Sequence, residues 1–158
     1  MLSAYLVVKL IHVVSATLLF GTGLGTAFFM FTAHRSGNVE AIRVTSRYVV
    51  IADWIFTLPA VIVQLASGLW LTDYLGISWS SIWFTTVMTL FVVVGLCWLP
   101  VVWIQIRIKR MVALDSSATG TRNYRNLFRA WVALGIPAFT LTLVLFALMI
   151  LKPGLAGT

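Results

Sequence analysis

Residues 81–105, SIWFTTVMTLFVVVGLCWLPVVWIQ, run without a charged side chain and end against Arg107, Lys109 and Arg110. A helix apolar on every face has no solvated side to offer water, and about 20 such residues cross the hydrocarbon of a bilayer. Apolar runs of similar length recur from Leu6 to Phe31, broken only by Lys9, from Val49 to Leu71, broken only by Asp53, and from Ala130 to Leu151. Spans over about 6–31, 49–71, 81–105 and 130–151 use up most of the 158 residues, so one domain is expected. The fold class is all-α: an integral membrane, four-helix transmembrane bundle. Composition agrees, because 61% of residues are hydrophobic and 9% charged, against roughly 45–50% and 25% in soluble domains. The first run is too long for a signal peptide, has no basic region ahead of it, and leads to no convincing cleavage site.

The net charge of +7 could point to nucleic acid, so the location of the charges decides. Nine of the 11 Lys and Arg residues sit in two polar stretches, Arg35, Arg43 and Arg47 after the first span and Arg107 to Arg129 after the third. The opposite face has only Lys9 and Lys152, and the Asp73-Tyr74-Leu75-Gly76 turn carries no base. The positive-inside rule puts both basic stretches in the cytoplasm and gives an N-out/C-out, multi-pass protein of the bacterial inner (cytoplasmic) membrane. Trp70 and Trp79 near one surface, with Trp103 and Trp131 near the other, fit interfacial belts. No aromatic-basic recognition motif accompanies the charge, so no nucleic-acid partner is expected. The lipid bilayer is the expected partner.

Small and polar residues inside spans carry the remaining information. Gly21, Gly23 and Gly25 suit close helix packing in lipid; as an alternative, that face joins two copies in a homo-oligomer. Pro59 predicts a kink in the second span. Cys97 has no partner for a disulfide. His12 lies in the outer half of the first span, with Ser15, Ala16, Leu19 and Gly23 at helical spacing below it. Small residues under an imidazole leave room for a flat group such as haem, which helix bundles often hold through an axial histidine. The plainer reading is a neutral His12 hydrogen-bonded to a neighbour such as Gln64. Depth counting places Gln64 and Ser67, Thr85 and Met88, and Thr142 or Leu145 at His12's level. Of these only Met88 ligates haem iron strongly, though packing is the ordinary role of such a methionine.

Asp53 is the only acid clearly within a span. An isolated charge there is costly, so a pair with Arg129 is expected, the alternative being a proton acceptor linked to a redox centre. His34 reads as a solvated loop residue; failing that, it joins Arg35 in holding a haem propionate. Two histidines and one cysteine cannot close a zinc site, and no catalytic serine set, P-loop or dinucleotide fingerprint occurs.

Several segments resemble known membrane families. The Lys9-Leu10-Ile11-His12 start, the glycines below it, Ile55-Phe56 to Gly68-Leu69-Trp70, and Pro137 to Lys152-Pro153 resemble the bacterial four-helix haem-dependent protoporphyrinogen oxidases and the related copper-resistance D proteins. Ala52-Asp53-Trp54-Ile55-Phe56-Thr57 and Trp98-Leu99-Pro100-Val101-Val102-Trp103-Ile104-Gln105 are similar to a bacterial family of predicted integral membrane proteins in the same superfamily. The resemblance covers almost the whole chain. It implies haem b on the histidine of the Lys-x-x-His start, here His12. The oxidases also place an essential lysine at the start of the third helix, whereas Trp79-Ser80-Ser81-Ile82-Trp83 offers none, so their activity is not carried over.

Two functions are expected to compete. One is a b-type haem protein with an electron-transfer or oxidoreductase role, His12 its metal ligand, Ser15, Ala16, Gly23, Gln64 and Met88 around the cofactor, and a quinone or membrane redox partner. Its iron would be five-coordinate, or six-coordinate with weak Met88. The other is a non-redox accessory, copper- or transport-related four-helix protein without haem.

Overall fold

The structure, a computed structural model, describes residues 2–151. Lys152, which the sequence assigns to the charge-poor face, lies outside the described residues. The chain is helical almost throughout: α1 Leu2–Ser36, α2 Val39–Ala52, a π-helical turn Asp53–Thr57, α3 Leu58–Tyr74, α4 Ile82–Leu114, a 3₁₀ turn Ser116–Gly120, and α5 Arg122–Leu151. α2, the π turn and α3 run on as one rod, so four rods are long and apolar enough to cross a membrane. They form an up-and-down bundle in which each packs on its neighbours in sequence and α1 meets α5.

Each rod contains its expected span and then outruns it. α4 has 33 residues, about 50 Å at a rise of about 1.5 Å per residue, against hydrocarbon about 30 Å thick. The surplus lies at the basic end. Here the polar stretch from His34 to Arg47, expected as a loop, is helical except for a break at Gly37 and Asn38. The break is built from local chemistry. Gly37 takes φ +66, a backbone conformation that suits glycine. Asn38 then caps α2, its side chain accepting from the amides of Glu40 and Ala41. Beyond the cap, Ile42, Ser46, Val49 and Val50 are buried on one face of α2. That helical period outweighs the polarity of Arg43 and Arg47, which point outward.

At the other end α3 stops in a Schellman motif: Ile77 N–H reaches Thr72 C=O at 3.1 Å and Gly76 N–H reaches Asp73 C=O at 3.0 Å, with Gly76 at φ +64. The Pro59 strain is taken up just before it. Pro59 has no N–H to give and its ring crowds the preceding turn; the helix widens, and the Leu58 amide bonds Asp53 C=O, five residues back.

The apolar core belongs to the basic end. Met30 and Ala33 of α1, Ile42 and Val49 of α2, Val101 to Val112 of α4, and Tyr124, Phe128 and Trp131 of α5 form one buried cluster. Trp131 is therefore a core residue, not part of an interfacial belt, while Trp70, Trp79 and Trp103 are exposed. In the charge-poor half the rods pair instead as two hairpins. α3 packs on α1, and α4 on α5, where Trp83 Nε1–H donates to Leu148 C=O at 3.0 Å.

Gly21, Gly23 and Gly25 are not the points of close approach expected: a Cβ on any of them would meet nothing within 4 Å. Among the described residues, the glycine that does receive a neighbour is Gly68.

Candidate functional site: the His12 cluster

His12 and Ser15, three residues apart on α1, both turn toward α3, which returns Gln64, Ser67 and Gly68 at the same level. His12 Nδ1 lies 2.8 Å from Ser67 Oγ, and Gln64 Nε2 lies 2.9 Å from His12 Nε2. Ser15 Oγ donates to Gln64 Oε1 at 2.5 Å, with His12 C=O 2.9 Å away as a second acceptor. The hydrogen-bond network assigns the tautomer. Ser67 spends its own proton on Val63 C=O at 2.6 Å, which leaves its oxygen to accept from His12 Nδ1–H. His12 Nε2 then accepts from the Gln64 amide. Gly68 makes room for the ring, since a Cβ there would stand 3.1 Å from His12 Cε1. A fully bonded cluster suits a site facing lipid, where unpaired polar groups are expensive.

Depth counting thus locates Gln64 and Ser67 correctly, and His12 makes the hydrogen bond to Gln64 that the plainer reading expects; the bond to Ser67 is additional. The acceptor that orients the ring is Ser67, and Gln64 faces the nitrogen a metal would use. Gly68 escaped the sequence reading; its only signal was a small residue next to Ser67 and four after Gln64. Ser15 is buried in the seam with its hydroxyl bound to Gln64. Ala16 and Gly23 are half-buried on α1, and a Cβ added at Gly23 would meet nothing within 4 Å. Met88 is half-buried on α4, which packs chiefly on α5 and α2, whereas His12 sits between α1 and α3.

The donor chemistry suits a haem iron. A ligating histidine commonly gives its second ring N–H to a protein oxygen, which fixes the ring and raises its basicity; His12 Nδ1–H on Ser67 has that form. The Gln64 amide occupies the approach to Nε2 and has to turn aside. Among the described residues no group of three or more His, Cys, Asp or Glu side chains is gathered for a metal ion.

Asp53 is buried, 5% exposed, at the start of the π turn. The expected pair with Arg129 does not form: Phe128 and Trp131 face the core, so Arg129, between them in sequence, is turned outward. Asp53 Oδ1 accepts instead from Thr57 Oγ1–H at 3.0 Å, and Oδ2 has no partner. The one ion pair among the described residues is Arg43 with Glu40, exposed on α2. His34 is likewise not a solvated loop residue. It sits in α1, its Nδ1 3.0 Å from Tyr124 Oη, its ring stacked on Phe128 with centroids 3.6 Å apart, and so clasps α1 to α5 at the margin of the basic-end core, half-buried.

No curated protein and no solved structure matches the chain. Residues 6–153 match a family described as predicted integral membrane protein (DUF2269). With nearly its whole length matched, and four apolar helices in the fold to bear out that description, the chain belongs to this family of integral membrane proteins.

Proposed function

We propose that this protein is a b-type haem protein of the bacterial inner membrane, with His12 Nε2 as axial ligand, serving electron transfer between a small donor or quinone and a membrane partner. The observation that carries the reading is the His12 Nδ1–Ser67 hydrogen bond at 2.8 Å, which fixes the ring in the tautomer a metal needs. The likeness of the Lys9-Leu10-Ile11-His12 start to the haem-dependent oxidases and copper-resistance D proteins supports it. Bound haem supplies a one-electron couple whose potential follows from its axial ligand and surroundings. The chain's own part is to hold the imidazole, through Ser67 and the hollow at Gly68, and to clear Nε2 by rotating Gln64. Ser15, Gln64 and Ser67 carry no group that would bind iron strongly, so His12 would be the one strong ligand the cluster offers.

One observation favours a second reading. Both ring nitrogens already have protein partners, so the cluster also works as a clasp between α1 and α3 in a non-redox accessory or transport-related protein.

Visible spectra of protein expressed with haem available separate the two. The haem reading expects a Soret band in the wild type, its loss in His12→Ala at equal folded protein, and its retention in Gln64→Leu, which frees Nε2. It also expects the ferrous form to bind carbon monoxide. Folded wild type and Gln64→Leu that are both colourless would overturn it and leave the clasp.

A further inference from the structure

The π turn leaves the second rod short of backbone donors. The Leu58 amide reaches back five residues to Asp53 C=O, whereas the α-helix that follows closes four residues back. That change of register leaves one carbonyl without a partner. Pro59 has no N–H and so leaves another. The carbonyls of Trp54, Ile55 and Phe56 therefore share a single donor, the Ala60 amide. Among the described residues no side chain makes up the difference; the Thr57 hydroxyl, in the same turn, gives its proton to Asp53 Oδ1 at 3.0 Å. The hydrocarbon around this segment holds no water to take its place, and acyl chains have no donor to offer.

These carbonyls belong to the wall of a groove. Ile55, Phe56 and Pro59 face Val14, Ser15 and Leu18 of α1 across a cavity of about 350 Å³, within the size range of small-molecule sites. Helix carbonyls point toward the C-terminal end of their helix, so those of Ile55 and Phe56 run along the wall toward Pro59 and Ala60. Val14, Leu18, Ile55 and Phe56 are exposed, and the groove opens sideways into lipid. Among the described residues no charged side chain lines it, and Ser15 is its one polar side chain. The Ser15 hydroxyl already gives its proton to Gln64 Oε1. The groove thus offers hydrogen-bond acceptors and no free donor.

We propose that this groove binds a lipid-dissolved hydroquinone and takes it in preference to the oxidised quinone. The occupant has to enter from the bilayer, fit between apolar walls and bring hydroxyl donors with it. A hydroquinone head meets all three demands: its ring packs against Phe56 and Pro59, and its hydroxyls donate to the carbonyls that the turn leaves free. A long-chain alcohol brings one donor to two acceptors. A quinone brings none, and its own oxygens meet the free carbonyls unfavourably. Selection between the two forms follows from the missing donors alone. Binding here does not require iron at His12, although Ser15 belongs both to the groove and to the His12 cluster and so sets the ring against that cluster.

Titration calorimetry of the full chain in lipid nanodiscs, with empty nanodiscs as the baseline, tests this. The probes are a decyl-substituted benzohydroquinone and its oxidised quinone. The wild type is expected to bind the reduced form about tenfold more tightly, the scale of one or two hydrogen bonds. Pro59→Ala returns an N–H to the turn and should cut that preference to about threefold; because it removes a helix breaker, the variant keeps the fold. Val14→Phe, on the exposed wall, should weaken both forms alike by filling the groove. Thr45→Val, in the separate groove beside Ala52, should change neither. Equal affinity for the two forms in folded wild type, no binding of either, a preference untouched by Pro59→Ala, or binding unaffected by Val14→Phe would each overturn the proposal.

Discussion

The two ends of this bundle are held together by different chemistry. At the basic end the buried residues are Met30, Ile42, Ile108, Val112, Tyr124 and their apolar neighbours. In the other half, the buried side chains between α1 and α3 are Ser15, Ser67 and Thr72, with Ala60 alone apolar. The helix surplus explains the contrast. Where the rods extend past the hydrocarbon, water surrounds them, and removing apolar surface from water drives packing. Within lipid that force vanishes, and hydrogen bonds with close contacts join helices instead. Stability therefore concentrates at the basic end, while the half that holds His12 is free to be polar.

The comparison depends first on which end meets the cytoplasm. A reporter fused after Gly154 is expected to behave as non-cytoplasmic, and one between Ser116 and Gly120 as cytoplasmic. The reverse pattern would place the apolar core on the other side of the membrane and put His12 in the cytoplasmic half. The next largest effect is expected within the core. Ile108, fully buried, should cost about 2–5 kcal/mol as Ile108→Ala, measured by unfolding in mixed detergent micelles. Ser67→Ala, which removes the ring's partner, should cost about 1 kcal/mol, the scale of a hydrogen bond between membrane helices. A larger loss from Ser67→Ala than from Ile108→Ala would break the division of labour. The smallest effect sharpens it. Gly68→Ala brings a methyl to 3.1 Å from the His12 ring and should displace the imidazole resonances of His12 at a cost of about 1 kcal/mol. Gly23→Ala, with open space around it, should leave them unmoved.

The four crossings were legible because predominantly apolar runs of that length have one physical explanation. The ends of the helices were not, since Arg43 and Arg47 made a loop of what is an amphipathic helix. Its Ile42-Ser46-Val49 period was visible in the sequence, but three arginines outweighed it. Depth counting found Gln64 and Ser67 because antiparallel helices of equal rise meet at equal depth. Depth says nothing about which helices touch at that depth, so it does not by itself join Met88 to His12. It failed for Asp53 and Arg129 through angle: one residue on from Phe128 is about 100° around the helix. His34 was misread for a related reason, its neighbours Arg35 and Ser36 being exposed while its own face meets Tyr124 and Phe128.

The π turn between Ala52 and Leu58 has a bearing on how this family of chains can vary. In an α-helix each residue advances the facing by about 100°, while a turn closed five residues back advances it less. The turn acts as a phase setter between two stiff rods, fixing the angle at which Gln64 and Ser67 arrive at α1 relative to that at which Ile42 and Val49 enter the core. Loss of one residue between Leu58 and Val63, where the helix is regular, would rotate everything beyond by about 100° and shift it by about 1.5 Å. The apolar end would keep its packing, and His12 would look across at Leu65 and Gly68 in place of Gln64 and Ser67. Within the π turn itself the loss of a residue is absorbed as the helix closes back to the α form, so length there is freer than in the rods on either side.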